Sequence, residues 1–158
     1  MLNYTIGSHK NLHITHIVLD YNGTIAFDGN PIAGVFPLVE ALAKNVKVCV
    51  LTADTYGTVA QALEDWPVEV VVLDAAANED EGIAKLEFVN SLGDGVVALG
   101  NGQNDRLMLK NACVGIAVCG REGLACAALL AADVCVVSIV DGLELLLHSN
   151  RLSATLRT

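Results

Sequence analysis

The sequence predicts a three-layer α/β protein built on a doubly wound, Rossmann-like parallel sheet, and three observations predict it. Short apolar runs rich in β-branched residues recur along the 158-residue chain, without the in-out alternation of strands that face water. Segments of helical length separate those runs, as right-handed crossovers between parallel strands require. Polar residues gather where several runs end, which is where open α/β sheets bind their ligands.

Strands are predicted over residues 14–19, 46–51, 68–73, 96–99, 114–118 and 134–137, each a short run dominated by apolar residues. Helices are predicted over 37–44, 58–64, 80–92, 105–111, 124–131 and 141–148. After the first strand, 24–27 and 30–33 flank Asp28-Gly29, a pair suited to a tight primed turn, so a small hairpin is expected to flap over the strand tips. No repeat, low-complexity tract or linker divides the chain, and one domain spanning 1–158 is expected.

Composition narrows the function. Hydrophobic residues make up 53% of the chain, ample for a full core. Nine basic residues stand against eighteen acidic ones, a net charge of -9, so the electrostatic footprint of a nucleic-acid or anionic-membrane binder is missing. The longest apolar stretch, 123–140, is interrupted by Asp133 and changes from Ala-Leu to Val-Cys-Val-Val, which reads as helix then strand rather than a membrane span. The first eleven residues are mixed polar and do not resemble a signal peptide, and a cytoplasmic protein is expected. Five cysteines without a CxxC pair read as reduced thiols buried as small hydrophobes.

Three strand ends are polar beyond what a core requires. Asp20 closes the first strand and is followed by Tyr21-Asn22-Gly23-Thr24. A carboxylate at a strand tip serves as nucleophile or cation ligand, and Gly23 lets backbone amides approach an anion; Asp, Asn and Gly also simply make turns. Thr52 offers a hydroxyl and the following amides, beginning with Ala53, to phosphate oxygens, and a turn or cap threonine would look the same. The segment 100–105, Gly-Asn-Gly-Gln-Asn-Asp, closes a strand and opens a helix with two glycines and several side-chain oxygens, which suits a metal or anion; the third glycine of a dinucleotide fingerprint is absent. Lys85 falls within a predicted helix whose Leu86, Val89 and Leu92 are spaced for the buried face. A lysine there is ordinarily a surface residue, yet its place in the chain allows a cation to reach the same strand tips.

Together these residues resemble the four motifs of the haloacid-dehalogenase-like superfamily. DYNGT at 20–24 is similar to its first motif, usually DxDGT; Thr52 matches the second, Lys85 the third and GNGQND at 100–105 the fourth, in order and spacing over roughly 14–147. Within the superfamily the run from Lys85 through 96–109, 114–118 and 131–134 most resembles the phosphorylation domain of P-type cation ATPases, and Thr52-Ala53-Asp54 resembles its TGD.

The resemblance implies a phosphohydrolase or phosphotransferase in which Asp20 forms an aspartyl-phosphate and the partner is a small phosphorylated metabolite. Mg2+ would be held by Asp20, the backbone carbonyl of Asn22 and the side chain of Asn101, with Asp105 contributing directly or through water. Thr52 and Lys85 would hold the phosphate, together with Gly23, Thr24, Ala53 and Asn104. Only twenty-seven residues separate Thr24 from Thr52 and thirty-two separate Thr52 from Lys85, too few for a pump's nucleotide-binding insert or for a cap domain. Capless members often oligomerise so that a neighbour covers the site, and a homo-oligomer is expected.

Two residues depart from the family pattern. Asn22 stands where the usual general acid/base is aspartate, and an amide cannot shuttle a proton. Asn101 stands where a metal-binding aspartate is usual; an amide oxygen still coordinates Mg2+, with less charge. The other reading is therefore a catalytically weakened phosphate- or metal-binding regulatory module, and pump resemblance suggests, by association only, a partner of a transport system. Both asparagines precede glycine, so deamidation to aspartate or isoaspartate is a third expectation to test.

Overall fold

The computed structural model describes residues 1–7, 10–54, 56–73 and 80–157. The chain opens with an antiparallel hairpin, β1 (Leu2–Ile6) and β2 (Lys10–Ile14), and then enters the sheet through β3 (His16–Asp20). A second hairpin, β4 (Ala26–Phe27) and β5 (Asn30–Pro31), follows, with Asp28 and Gly29 both at positive φ as a primed turn demands. Thereafter strands and helices alternate: α1 (Val35–Ala43), β6 (Lys47–Thr52), α2 (Thr58–Ala62), β7 (Glu69–Val72), α3 (Glu81–Ser91), β8 (Val96–Gly100), a 3-10 turn (Gln103–Asp105), α4 (Arg106–Asn111), β9 (Val114–Val118), α5 (Cys126–Ala131), β10 (Val134–Val136), α6 (Ile139–Leu147) and α7 (Ser149–Leu156).

The central sheet has the order β10-β9-β8-β3-β6-β7, and every neighbouring pair is parallel. The chain therefore winds outward from β3 through β6 and β7, then crosses back to β8 on the other side of β3. That reversal creates a crevice at the carboxyl end of β3. The three-layer α/β architecture predicted from the apolar runs is the one observed, and no cap domain is inserted among the described residues.

Strand periodicity explains why both faces of the sheet are dry. Ile17 and Leu19 of β3, Val48 and Val50 of β6, and Val97 and Leu99 of β8 join one core with α1, α6 and α7. Val18, Cys49, Leu51, Val96 and Ala98 point the other way, into a second core with Ala84 and Val89 of α3 and Met108 and Leu109 of α4. Fully burying each Leu, Ile or Val contributes about 1.5–3 kcal/mol, so runs buried on both faces hold β3 firmly in place. Asp20 lies two residues after Val18 and so projects toward the α3 layer.

Two elements lie outside those predicted, and one expectation is corrected. Neither the β1–β2 hairpin nor α7 was anticipated; they pack together over the first core, with the Tyr4 hydroxyl donating to the Leu146 carbonyl at 2.6 Å and the Ser153 hydroxyl to the Thr5 carbonyl. The cysteines were expected to be buried, but only Cys49 is: Cys113 is half-buried, and Cys119, Cys126 and Cys135 are exposed, because they sit at a strand end, a helix start and the edge strand β10. Burial pushes the Cys49 thiol up to about 11. No helix among the described residues is long and apolar enough to cross a membrane.

Candidate active site

Asp20 ends the central strand, and Lys85 reaches it from the second turn of α3. Asp80 caps that helix by accepting from the Gly82 amide at 2.8 Å, and Gly82, Ala84, Lys85 and Val89 form its buried face. The lysine is 0% exposed. Its ammonium donates to Asp20 Oδ1 and to Asp105 Oδ1, each at 2.7 Å, and lies 3.4 Å from Glu81 Oε1 one turn earlier.

Asp105, also 0% exposed, uses its other oxygen to accept the amides of Asn101 at 3.0 Å and Gly102 at 2.8 Å. It thereby ties the 100–105 loop to Lys85. A side chain at Gly100 would place its Cβ 2.5 Å from the Asp105 carboxyl carbon, so only glycine permits this closure.

The electrostatics follow from this burial. Desolvation and the neighbouring Asp105 push the Asp20 carboxyl up to about 7, against the pull of Lys85 and the Thr24 hydroxyl. Burial alone would lower the Lys85 ammonium, but Asp20 and Asp105 outweigh it and hold the group raised and charged.

The other Asp20 oxygen faces Thr24, which is buried. The Thr24 hydroxyl lies 3.1 Å from Asp20 Oδ2 and 3.2 Å from Asn101 Oδ1, with one proton to give to the two acceptors. The Asn101 amide nitrogen donates to the Gly123 carbonyl at 3.1 Å, which leaves the amide oxygen turned toward the Thr24 hydroxyl. Gly23 makes this convergence possible: its φ is +77°, and a Cβ there would meet the Asn101 side chain at 2.4 Å.

These groups floor an open cavity of about 480 Å3 lined by Asp20, Asn22, Thr52, Ala53, Asn101 and Asn104 of the predicted set, together with Tyr21, Leu51, Asp54, Tyr56, Glu81 and Gly102. Gly23, Thr24, Lys85 and Asp105 lie behind this lining, packed against Asp20 or Asn101. The Gly23 amide donates to the Ala26 carbonyl at 2.9 Å, so here the loop is held by its own turn. The Thr52 hydroxyl accepts from the Asp54 amide at 3.1 Å.

A divalent cation fits the donor chemistry of this floor. Asp20 Oδ2, the Thr24 hydroxyl and Asn101 Oδ1 converge with a single proton among them, and hard cations take oxygen ligands. Among the described residues no group of three His, Cys, Asp or Glu side chains is placed to hold a metal, so amide and main-chain oxygens must supplement Asp20.

Of the cavity-lining residues that sequence reasoning left out of the site, Glu81 is the most consequential. Its one signal was the four-residue spacing to Lys85, which places both on one helix face. Asp54 is held below the usual carboxylate range by the Val59 amide and the Thr58 hydroxyl, with the Tyr56 amide on its other oxygen. Deamidation of the two Asn-Gly steps is opposed by the geometry: it needs the glycine amide as attacking nitrogen, and those of Gly23 and Gly102 are given to Ala26 and Asp105.

Comparison with known proteins adds to this picture. No family model matches the chain. An uncharacterized protein of Methanocaldococcus jannaschii is 46% identical over 82 residues, spanning 49% of this chain and 88% of that protein. The 3-deoxy-D-manno-octulosonate 8-phosphate phosphatase of Moraxella catarrhalis, solved with magnesium, phosphate and KDO, matches with a TM-score of 0.69 at 15% identity, over 89% of this chain and 90% of its own. A zinc-transporting PIB-type ATPase matches with a TM-score of 0.61 at 24% identity, over 78% of this chain and 20% of the pump.

Proposed function

The chain belongs to one family with the Methanocaldococcus protein and has the haloacid-dehalogenase-like fold, and from that premise we propose that it is a Mg2+-dependent phosphohydrolase or phosphotransferase acting through Asp20. The observation that carries this reading is the setting of Asp20: at the topological reversal of the sheet, one oxygen on the buried Lys85 ammonium, the other beside Thr24, at the base of an open cavity.

In this reading Asp20 attacks the phosphorus of a small phosphorylated metabolite in line with the leaving group, and an aspartyl-phosphate forms. Lys85 orients the nucleophile and neutralises charge on the phosphoryl oxygens. Thr52 and Ala53, after β6, and Asn104, after β8, receive those oxygens from the two sides of Asp20, while Gly23 and Thr24 shape the floor. Mg2+, held by Asp20, Asn22 and Asn101, would supply further charge neutralisation when bound. Asp105 keeps Lys85 and the 100–105 loop in register. Catalysis is then mostly positioning and electrostatics. A single domain, a second copy of the chain covering the open cavity, and a reducing cytoplasmic setting complete the proposal; the 93% exposed Tyr56 at the mouth supports the second of these, and free, exposed cysteines support the third.

The amides at 22 and 101 favour one alternative, a weakened phosphate- or metal-binding module. Hydrolysis of an aryl phosphate and of acetyl phosphate, with and without Mg2+, separates the two. Turnover that Asp20→Asn abolishes and Asn22→Asp raises is expected. No turnover in the parent, in Asn22→Asp or after adding Asn101→Asp would select the binding module.

A further inference from the structure

An aspartyl-phosphate must be hydrolysed by a water that gives up a proton, and position 22, beside the nucleophile, holds an amide that cannot take it. We propose that Glu81 is the general base of this site, an inference that rests on the reading of Asp20 as nucleophile.

The cavity offers few other proton carriers. Asp20 is consumed as nucleophile. Asp54 lines the cavity, but its two oxygens already accept from the Tyr56 amide at 2.9 Å, the Thr58 hydroxyl at 2.7 Å and the Val59 amide at 2.8 Å. The Tyr21 hydroxyl donates to the Gly29 carbonyl at 2.9 Å. Lys85 is a buried ammonium between carboxylates and has no lone pair to offer. Asn22, Asn101 and Asn104 are amides. Of the carboxylates that line the cavity, Glu81 remains: its side chain is 31% exposed, and its Oε1 lies 3.4 Å from the ammonium that holds Asp20 at 2.7 Å. Its second oxygen makes no hydrogen bond among the described residues. Lys85 thus tethers the base and the nucleophile to one point, with the free carboxylate oxygen at the cavity wall.

The step balances without any further reactant. Water oxygen attacks phosphorus opposite Asp20 as Glu81 takes one water proton. The bond from phosphorus to the Asp20 oxygen breaks with its electron pair, regenerating the carboxylate and releasing inorganic phosphate. Glu81 then passes its proton to phosphate or to solvent.

Acetyl phosphate isolates this step, because acetate leaves without protonation and phosphorylation of Asp20 then needs no acid. The parent, Glu81→Gln, Glu81→Asp, Asn22→Asp and the double variant Glu81→Gln/Asn22→Asp are pulsed with labelled acetyl phosphate and Mg2+. The hydroxylamine-sensitive phosphoenzyme is then followed after a chase. Glu81→Gln is expected to form phosphoenzyme at the parent rate and to lose it roughly 10²–10⁴-fold more slowly. Glu81→Asp is expected to fall between, and the double variant to regain rapid decay. Decay of the Glu81→Gln phosphoenzyme at the parent rate overturns the proposal, as does slowed decay that Asn22→Asp leaves slow. Absence of phosphoenzyme from the parent and from Asn22→Asp alike instead removes the reading of Asp20 as nucleophile, and the role of Glu81 with it.

Discussion

The floor and the rim of the cavity are built on different physical terms. On the floor Lys85, Asp105 and Thr24 are fully buried, and every buried side-chain polar atom among the described residues is answered by another group within the protein. On the rim Glu81, Asp54 and Tyr56 stand partly or wholly in water and interact mainly with their own turns. A buried charge network is costly to break and cheap to leave alone, whereas rim side chains are nearly free to change. Floor substitutions should therefore damage folding and chemistry together, and rim substitutions should touch chemistry alone.

The largest test of that contrast is Lys85→Met, which leaves two buried carboxylates facing each other without a cation. Removing one partner of a buried ion pair costs about 3–5 kcal/mol, and urea denaturation at neutral pH should show a loss of that size together with loss of turnover. A smaller effect is expected from Gly23→Ala, where the left-handed backbone costs about 1–2 kcal/mol and the methyl group displaces Asn101. Mg2+ affinity, followed by calorimetry, should fall with it.

The pH dependence sharpens the comparison further. The folded Asp20 carboxyl titrates near 7, above the usual unfolded value of about 3.9. Between those values the folded state binds more protons than the unfolded one, so this group's contribution is fully present below about pH 4 and is lost as pH rises through 7. In chelator-treated protein, stability should decline over that window, and Asp20→Asn should flatten the decline. At the small end, Tyr56→Ala on the rim should shift stability by less than about 0.5 kcal/mol in the same titration.

How much was legible in the sequence divides along similar lines. The sheet strands could be read because burial of the inner strands on both faces leaves runs dominated by apolar residues, and Asp20, Thr52 and the 100–105 loop stood out as polar ends to those runs. The β1–β2 hairpin was hidden because it buries only one face: Tyr4, Ile6, Leu12 and Ile14 alternate with exposed residues, a pattern unlike that of the sheet strands. By residue type alone Lys85 would be a surface residue, because lysine is rarely buried alone, and it was the order and spacing of the four motifs that set it in the site. Its burial depends on Asp20 and Asp105, which lie sixty-five and twenty residues away in the chain and meet it only through the winding of the sheet. Glu81 stayed out of the site for the same reason, since its importance follows from where Lys85 points. The cysteine expectation failed because residue type says little about burial at an edge strand.

The central claim is that Asp20 takes the phosphoryl group. Protein quenched during turnover of acetyl phosphate, reduced with borohydride and analysed by peptide mass spectrometry reads this directly, because reduction of an acyl phosphate converts aspartate to homoserine. The account predicts homoserine at position 20 and unmodified asparagine at 22 and 101. Phosphate release with homoserine elsewhere, or with none at all, would contradict it.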